Sequence, residues 1–187
     1  RAIIAKDYTV ENVARVSKGT ADWLNKNFDN PSVVIGHDCR FAGELFAETA
    51  TKVLTANGVK VYLAKGFVST PMVSLGALKQ SASLGVVITA SHNPPSYNGF
   101  KLKGHFGGPL LPAEVQEVED LIPDNVDWDL DGIKMESLVE KGSVEYVDLE
   151  QMYIDHVEAN FDMEAIRNSK MNFAFDAMFG SGQNVMR

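Results

Sequence analysis

The first two thirds of the chain alternate between helical and strand-like patterns of apolar residues. Apolar positions recur every three or four residues in four segments, which predicts helices over residues 10–28, 43–56, 71–79 and 112–122. Short apolar runs predict strands over residues 32–36, 59–63, 84–88 and 99–103. Strands that alternate with helices are typical of layered α/β proteins. The predicted fold class is therefore α/β, with a mostly parallel mixed sheet sandwiched by helices.

The pattern changes after residue 122. Residues 123–145 are acidic and irregular, which predicts a linker. A helix over 147–160, a strand over 171–176 and a tight turn follow. We expect residues 1–122 to form one α/β domain and residues 146–187 to be the truncated beginning of a second α/β domain. Both ends of the chain interrupt a pattern, so we expect a piece of a longer protein.

Composition narrows the classes of function. The chain has 187 residues, a formal net charge of -8 and 45% hydrophobic residues, as a globular protein does. The acidic balance disfavours nucleic acid as a partner, because phosphate backbones need a basic surface. No apolar run reaches the roughly 18 residues of a membrane helix, and no signal peptide pattern is present. The single cysteine, Cys39, excludes an internal disulfide and favours a cytoplasmic location.

Candidate chemistry concentrates in residues 86–102, VVITASHNPPSYNGFKL. An apolar strand ends at a loop that contains Ser91 and His92, and two prolines then restrict the chain. The simplest interpretation is a loop whose polar side chains bond only to backbone groups. A serine hydrolase is a second interpretation, but the glycines that flank a hydrolase serine are missing. His92 is also a poor base for Ser91, because side chains at adjacent positions usually diverge.

Phosphoryl transfer fits these residues better. It needs an oxygen held in line with the phosphoryl group, and cations around that group. Ser91 is the candidate carrier, and the candidate cations are Lys101, His92 and Arg1. Lys101 lies where the chain returns along the same edge of the sheet.

The sequence TASHNPPSYNGFK, residues 89–101, resembles the phosphoserine loop of the α-D-phosphohexomutases, the phosphoglucomutase/phosphomannomutase family. GHDCR at 36–40 is similar to the family's Gly-x-Asp-x-Arg segment. DAMFGSG at 176–182 is similar to the turn that opens its second domain. Arg1 is similar to the arginine that ends the family's N-terminal Gly-Thr-x-Gly-x-Arg segment. The resemblance covers nearly the whole chain.

The resemblance implies an enzyme that interconverts hexose 1-phosphates and hexose 6-phosphates, of glucose or mannose, through a hexose 1,6-bisphosphate. It implies Ser91, His92 and Lys101 as catalytic residues, and Arg1 and Lys101 as phosphate-binding residues. It also implies Mg²⁺, bound by the phosphoryl oxygen of Ser91 and by three aspartates that this chain lacks. A glucose 1,6-bisphosphate-type activator is a further implied cofactor.

The family's metal, sugar and phosphate loops are absent from these residues. The expected partners are therefore a hexose phosphate and the remaining domains of a parent enzyme, and the chain alone is expected to be nearly inactive. The alternative is a non-catalytic sugar-phosphate-binding or interaction module derived from the same domain.

Two other segments invite functional interpretations. DWDLD at 127–131 has the spacing of a metal loop, but Gly132 and Leu138 stand where such loops need other residues, which favours a solvated acidic linker. The second segment is HDCR at 37–40, for which a reactive Cys39 thiol beside the Arg40 cation is one interpretation. We instead predict an ion pair between Asp38 and Arg40, with Cys39 packed inside.

Overall fold

A five-stranded sheet with helices on both faces forms the centre of the fold. The computed structural model of the chain describes residues 1–127 and 129–185. Trp128, in the predicted linker, and the last two residues of the predicted second domain lie outside them. The helices are α1 (Val10–Asn27), α2 (Gly43–Ala56), α3 (Thr70–Lys79), α4 (Pro112–Asp120), α5 (Met135–Glu140), α6 (Leu149–Asn160) and α7 (Met163–Asn168). The strands are β1 (Ala2–Ile3), β2 (Ser32–His37), β3 (Lys60–Phe67), β4 (Leu84–Ile88), β5 (Tyr97–Asn98), β6 (Phe100–Gly104) and β7 (Val144–Val147).

The sheet has the strand order β6-β4-β2-β3-β7. β2 pairs in parallel with β3 and with β4, and β3 pairs in parallel with β7. β6 runs antiparallel to β4, with Lys101 opposite Val87. β1 and β5 form a separate antiparallel pair. The mostly parallel mixed sheet predicted from the sequence is thus confirmed.

Alternate residues of the central strand β2 pack into two cores. Ile35 packs with Leu24 of α1 and Leu54 of α2 on one face. Val34 packs on the other face with residues of α3 and with Leu149 of α6. All five side chains are essentially buried, and each contributes about 1.5–3 kcal/mol of burial free energy. This two-sided burial explains why β2 appears in the sequence as a continuous apolar run.

Several predicted boundaries agree with the structure because local signals define them. Helix α2 has the predicted bounds, and it ends where Gly58 adopts a left-handed φ of 80°. Strand β4 also has the predicted bounds. Helix α1 begins after Thr9, whose side chain accepts a hydrogen bond from the Asn12 amide at 3.2 Å.

The structure differs from the prediction in the predicted linker. Residues 123–145 include the whole of α5 and the first residues of β7, which joins the sheet beside β3. Helix α5 has no fully buried residue, and only Met135 and Leu138 pack against the core, so its apolar face is too short to reveal a helix in the sequence. Strand β7 is short and lies at the sheet edge, with Val144 and Val147 buried and the two residues between them exposed. Where the first domain ends stays a prediction.

The strand predicted over residues 171–176 is wrong in this structure. These residues have no regular secondary structure, and Phe173 and Phe175 are 72% and 53% exposed. A strand needs a hydrogen-bonded neighbour, and none of the strands in the described part of the chain lies beside this segment.

Among the described helices, none is both long and apolar enough to cross a lipid bilayer.

Candidate active site

The loop after β4 presents Ser91 to solvent while burying the residues that precede it. Thr89 and Ala90 are 4% and 0% exposed, whereas Ser91 is exposed. Ser91 adopts a φ of 57°, in the left-handed region, which costs a residue other than glycine about 1–3 kcal/mol. The surrounding structure must therefore hold this conformation in place.

Hydrogen bonds within the loop close it over residues 89–99. The Thr89 amide donates to the Gly99 carbonyl at 2.9 Å. The Asn93 amide and side chain both donate to the Ala90 carbonyl, at 3.1 and 2.6 Å. The Tyr97 amide donates to the Pro94 carbonyl at 3.0 Å. These bonds give the loop one defined shape.

The N-terminal segment braces the same loop. Ala2 pairs with Asn98 in the β1–β5 ladder, and the Ile4 amide donates to the Ser96 carbonyl at 2.8 Å. The side chain of Arg1 lies against Gly99, where a β carbon would stand 3.1 Å from Arg1 Cγ and 2.7 Å from the Thr89 carbonyl oxygen. A glycine at position 99 therefore permits this close approach of Arg1 to the loop.

His92 lies closer to Ser91 than its sequence position suggested. Ser91 Oγ and His92 Nδ1 are 3.3 Å apart, a long but feasible hydrogen bond. The expectation that the two side chains diverge is wrong, because the left-handed backbone at Ser91 turns them to the same side. His92 is exposed, so its ring is accessible to solvent and to a ligand.

Lys101 and Arg1 lie near the same end of the sheet but are not hydrogen-bonded to Ser91 in the described part of the chain. Both line a cleft of about 620 Å³, together with Lys103. Burial and the neighbouring Lys101 charge lower the pKa of Lys103. The cleft is thus lined by three cationic side chains, by the carboxylates Asp7 and Glu119 and by mostly apolar residues, and Ser91 does not line it.

The β2–α2 loop supplies a residue that the sequence analysis had not connected to Ser91. Arg40 lies beside the Ser91 loop and donates to four of its carbonyl oxygens, at 2.6–3.0 Å. The carboxyl ends of β2 and β4 adjoin, with His37 opposite Ile88, which brings the two loops together. The signal available in the sequence was that both loops follow buried strands, since such strands end at one edge of a parallel sheet.

Asp38 completes this connection. Its carboxylate accepts from the Arg40 amide at 3.0 Å, lies 3.5 Å from Arg40 Nε, and accepts from the Thr89 hydroxyl. The predicted ion pair between Asp38 and Arg40 is therefore confirmed. Cys39, however, is exposed rather than packed inside, because the turn directs it away from the sheet.

The surroundings of Cys39 do not activate its thiol. Partial burial, and then the nearby charge of Asp38, raise the pKa of the Cys39 thiol. A raised pKa lowers the population of the nucleophilic thiolate. A reactive-cysteine function is not supported.

The described residues bring no cluster of metal-binding side chains together. Residues 1–127 and 129–185 contain no group of three or more histidine, cysteine, aspartate or glutamate side chains placed to hold a metal ion. Asp127, Asp129 and Asp131, whose spacing in the sequence resembles that of a metal loop, do not form such a group either.

The α/β fold and the serine loop at the end of β4 are those of the first domain of a known protein family. Residues 1–127 match the family model described as phosphoglucomutase/phosphomannomutase, alpha/beta/alpha domain I. The chain belongs to this family, as the resemblance of the serine loop implied.

Curated relatives and solved structures agree with this assignment. The chain is 35% identical over 137 residues to the phosphoglucomutase of Staphylococcus saprophyticus, covering 72% of this chain and 25% of the relative. It is 30% identical over 188 residues to the phosphoribomutase of Saccharomyces cerevisiae, covering 92% of this chain and 30% of the relative. A crystal structure described as a phosphomannomutase from Thermus thermophilus superposes with a TM-score of 0.78 at 32% identity, covering 88% of this chain and 35% of that one. The chain thus spans about a quarter to a third of the length of these relatives.

Proposed function

We propose that this chain supplies the phosphoryl-carrying serine of a phosphohexomutase that interconverts hexose 1-phosphate and hexose 6-phosphate. One observation carries the proposal: Ser91 is exposed on a loop whose backbone is fixed, at the carboxyl end of a buried strand of the family's first domain. A flexible loop would suit a surface contact, whereas in-line transfer needs the serine oxygen held in one place.

The reaction exchanges one phosphorus–oxygen bond for another. A sugar hydroxyl attacks the phosphorus atom of phosphorylated Ser91, the new sugar–phosphate bond forms, and the bond to Ser91 Oγ breaks. The proton lost by the sugar hydroxyl balances the proton gained by Ser91 Oγ. The hexose 1,6-bisphosphate then returns its other phosphoryl group to Ser91 by the reverse exchange. The cycle consumes no water and no nucleotide.

We assign roles in phosphoryl transfer to three side chains near Ser91. We assign His92, whose Nδ1 lies 3.3 Å from Ser91 Oγ, to the exchange of the serine proton. Lys101 and Arg1 are proposed to bind phosphoryl oxygens from the neighbouring cleft, at about 1–4 kcal/mol for each close cation. Magnesium, held by an oxygen of phosphorylated Ser91 and by residues outside this chain, would neutralise charge on that group. The remaining domains of the parent enzyme supply the other contacts to the sugar.

The sugar is a separate question. A hexose phosphate is the substrate we propose, with a hexose 1,6-bisphosphate as the activator that loads Ser91. A pentose phosphate is a second candidate, because the relative aligned over 92% of this chain is a phosphoribomutase. A panel of glucose, mannose and ribose phosphates separates the two.

The test measures phosphorylation of Ser91 in the protein at its full native length. The protein is incubated with glucose 1,6-bisphosphate and Mg²⁺, and its peptides are then examined by mass spectrometry. We expect one phosphoryl group on Ser91, and mutase activity on one sugar of the panel. Ser91→Ala should remove both.

Ser96→Ala is the matched control, since Ser96 is exposed in the same loop and contributes only its backbone carbonyl to a hydrogen bond. It should be phosphorylated at Ser91 as the unmodified protein is. If the folded protein binds sugar phosphates but never acquires a phosphoryl group at Ser91, the chain is the non-catalytic binding module, and the proposal is wrong.

A further inference from the structure

Arg40 directs four N–H bonds at the backbone of the Ser91 loop. Its Nη1 atom donates to the carbonyl oxygens of Pro94 and Tyr97, at 2.8 and 3.0 Å. Its Nη2 atom donates to those of Ser91 and Asn93, at 2.9 and 2.6 Å. The planar guanidinium thus joins four points of a loop that lies 51 to 57 residues away in sequence.

The remaining nitrogen of the Arg40 guanidinium, Nε, lies within ion-pair distance of a carboxylate. Arg40 Nε lies 3.5 Å from the carboxylate of Asp38, and the Arg40 side chain is only 14% exposed. A guanidinium has five N–H donors and no acceptor. Because all four bonds from the Nη atoms go to loop carbonyls and Nε faces the Asp38 carboxylate, the guanidinium of Arg40 is committed to the protein rather than to a substrate phosphate. Its role therefore differs from the phosphate-binding role that we propose for Arg1 and Lys101.

The same network holds the peptide groups of Ser91 from both ends. The Ser91 carbonyl accepts from Arg40 at 2.9 Å. The Ser91 amide donates to the Thr89 hydroxyl oxygen at 3.0 Å, and that hydroxyl donates to Asp38. Arg40 and Asp38 are themselves linked. The unfavourable left-handed φ of Ser91, 57°, is thus fixed by a closed chain of hydrogen bonds.

We infer that Arg40 is the positioning residue of the serine loop: it holds Ser91 Oγ in the orientation needed for phosphoryl transfer and does not bind the sugar phosphate. The inference rests on the proposed carrier role of Ser91. It predicts that charge alone cannot replace Arg40, because a lysine ammonium is a single point and cannot reach four carbonyl oxygens with the geometry of a planar fork.

The test compares Arg40→Lys with the unmodified protein at full native length. Arg167→Lys is the matched control, since Arg167 is exposed on α7, outside the serine loop. We expect the maximal rate of Ser91 phosphorylation by glucose 1,6-bisphosphate to fall about 100-fold in Arg40→Lys, the order of loss that a misplacement of about 1 Å produces. The bisphosphate concentration giving half-maximal rate should change little. A larger effect on that concentration than on the rate would mean that Arg40 binds substrate, and would overturn the inference.

A second variant covers the case in which Arg40→Lys misfolds. In Arg40→Ala, added guanidinium chloride at low concentration should restore part of the rate, whereas ammonium chloride should not, because only the planar ion reproduces the fork. Equal restoration by both ions would overturn the inference.

Amide hydrogen exchange separates failure of this inference from failure of the proposed function. The Ser91 amide should exchange faster in Arg40→Lys than in the unmodified protein, while amides of β4 should stay protected. If the unmodified protein is never phosphorylated at Ser91, the carrier proposal fails, yet the exchange comparison still reports whether Arg40 fixes the loop. Unchanged exchange at Ser91 would refute the positioning role.

Discussion

Replacing Thr89 by valine tests whether the hydrogen bonds around Ser91 stabilise the fold as well as the loop. Thr89 is 4% exposed, and its hydroxyl both donates to the Asp38 carboxylate and accepts from the Ser91 amide at 3.0 Å. Valine has nearly the same volume, so Thr89→Val removes the hydroxyl without opening a cavity. Both partners would then lose a partly buried hydrogen bond.

The expected loss of unfolding free energy is the sum of the contributions of the two hydrogen bonds. A hydrogen bond to a charged group is worth about 1.5–3 kcal/mol, and one between neutral groups about 0.5–1.5 kcal/mol, so Thr89→Val should lower the free energy of unfolding by about 2–4.5 kcal/mol. Urea unfolding followed by circular dichroism measures this change. With a dependence of about 2 kcal/mol per molar urea, the midpoint should fall by about 1–2 M.

Thr89→Ser is the matched control for Thr89→Val. Serine keeps the hydroxyl and loses one methyl group, which should cost only about 1 kcal/mol. The hydroxyl bridge predicts that valine destabilises the protein more than serine does, although valine is the more apolar residue at a buried position. The opposite order would refute the reasoning, since it would mean that the methyl group, rather than the bridge to Asp38 and Ser91, determines the stability of this site.

Two further predictions concern other parts of the structure. Because its pKa is raised, the Cys39 thiol should react with iodoacetamide more slowly than free cysteine at pH 8. The difference in rate should shrink as the pH rises towards that pKa, since more thiolate then forms. Faster alkylation than that of free cysteine would contradict this prediction. Leu149 of α6 is 1% exposed and packs on the first domain's core, so Leu149→Ala should lower the free energy of unfolding of that domain by about 2–5 kcal/mol. Thermal unfolding measures the change, with Leu78→Ala as the control because Leu78 is exposed. An effect no larger than that of the control would mean that α6 is independent of this core.

The local sequence pattern correctly predicted the helices and strands whose ends are set by adjacent residues. Helix α2 was predicted with its observed bounds because an apolar face runs up to Asn57 and Gly58, where the left-handed glycine ends it. Strand β4 was predicted because its five residues are all buried, which makes a continuous apolar run. The same patterns missed β7 and wrongly predicted a strand over 171–176, because strand formation depends on a hydrogen-bonded neighbour that no local pattern supplies.

The sequence by itself determined the chemistry of the site: Ser91 and His92 in a proline-restricted loop at the end of a buried strand, with the residues that reveal the family. Only the tertiary structure decided how that loop is held. Arg40 reaches its four carbonyl oxygens because β2 and β4 adjoin in parallel, so that two loops more than 50 residues apart meet at one sheet edge. Strand order results from packing of the whole domain. Every residue type has a backbone carbonyl, so the sequence does not reveal which carbonyls accept a hydrogen bond from a distant side chain.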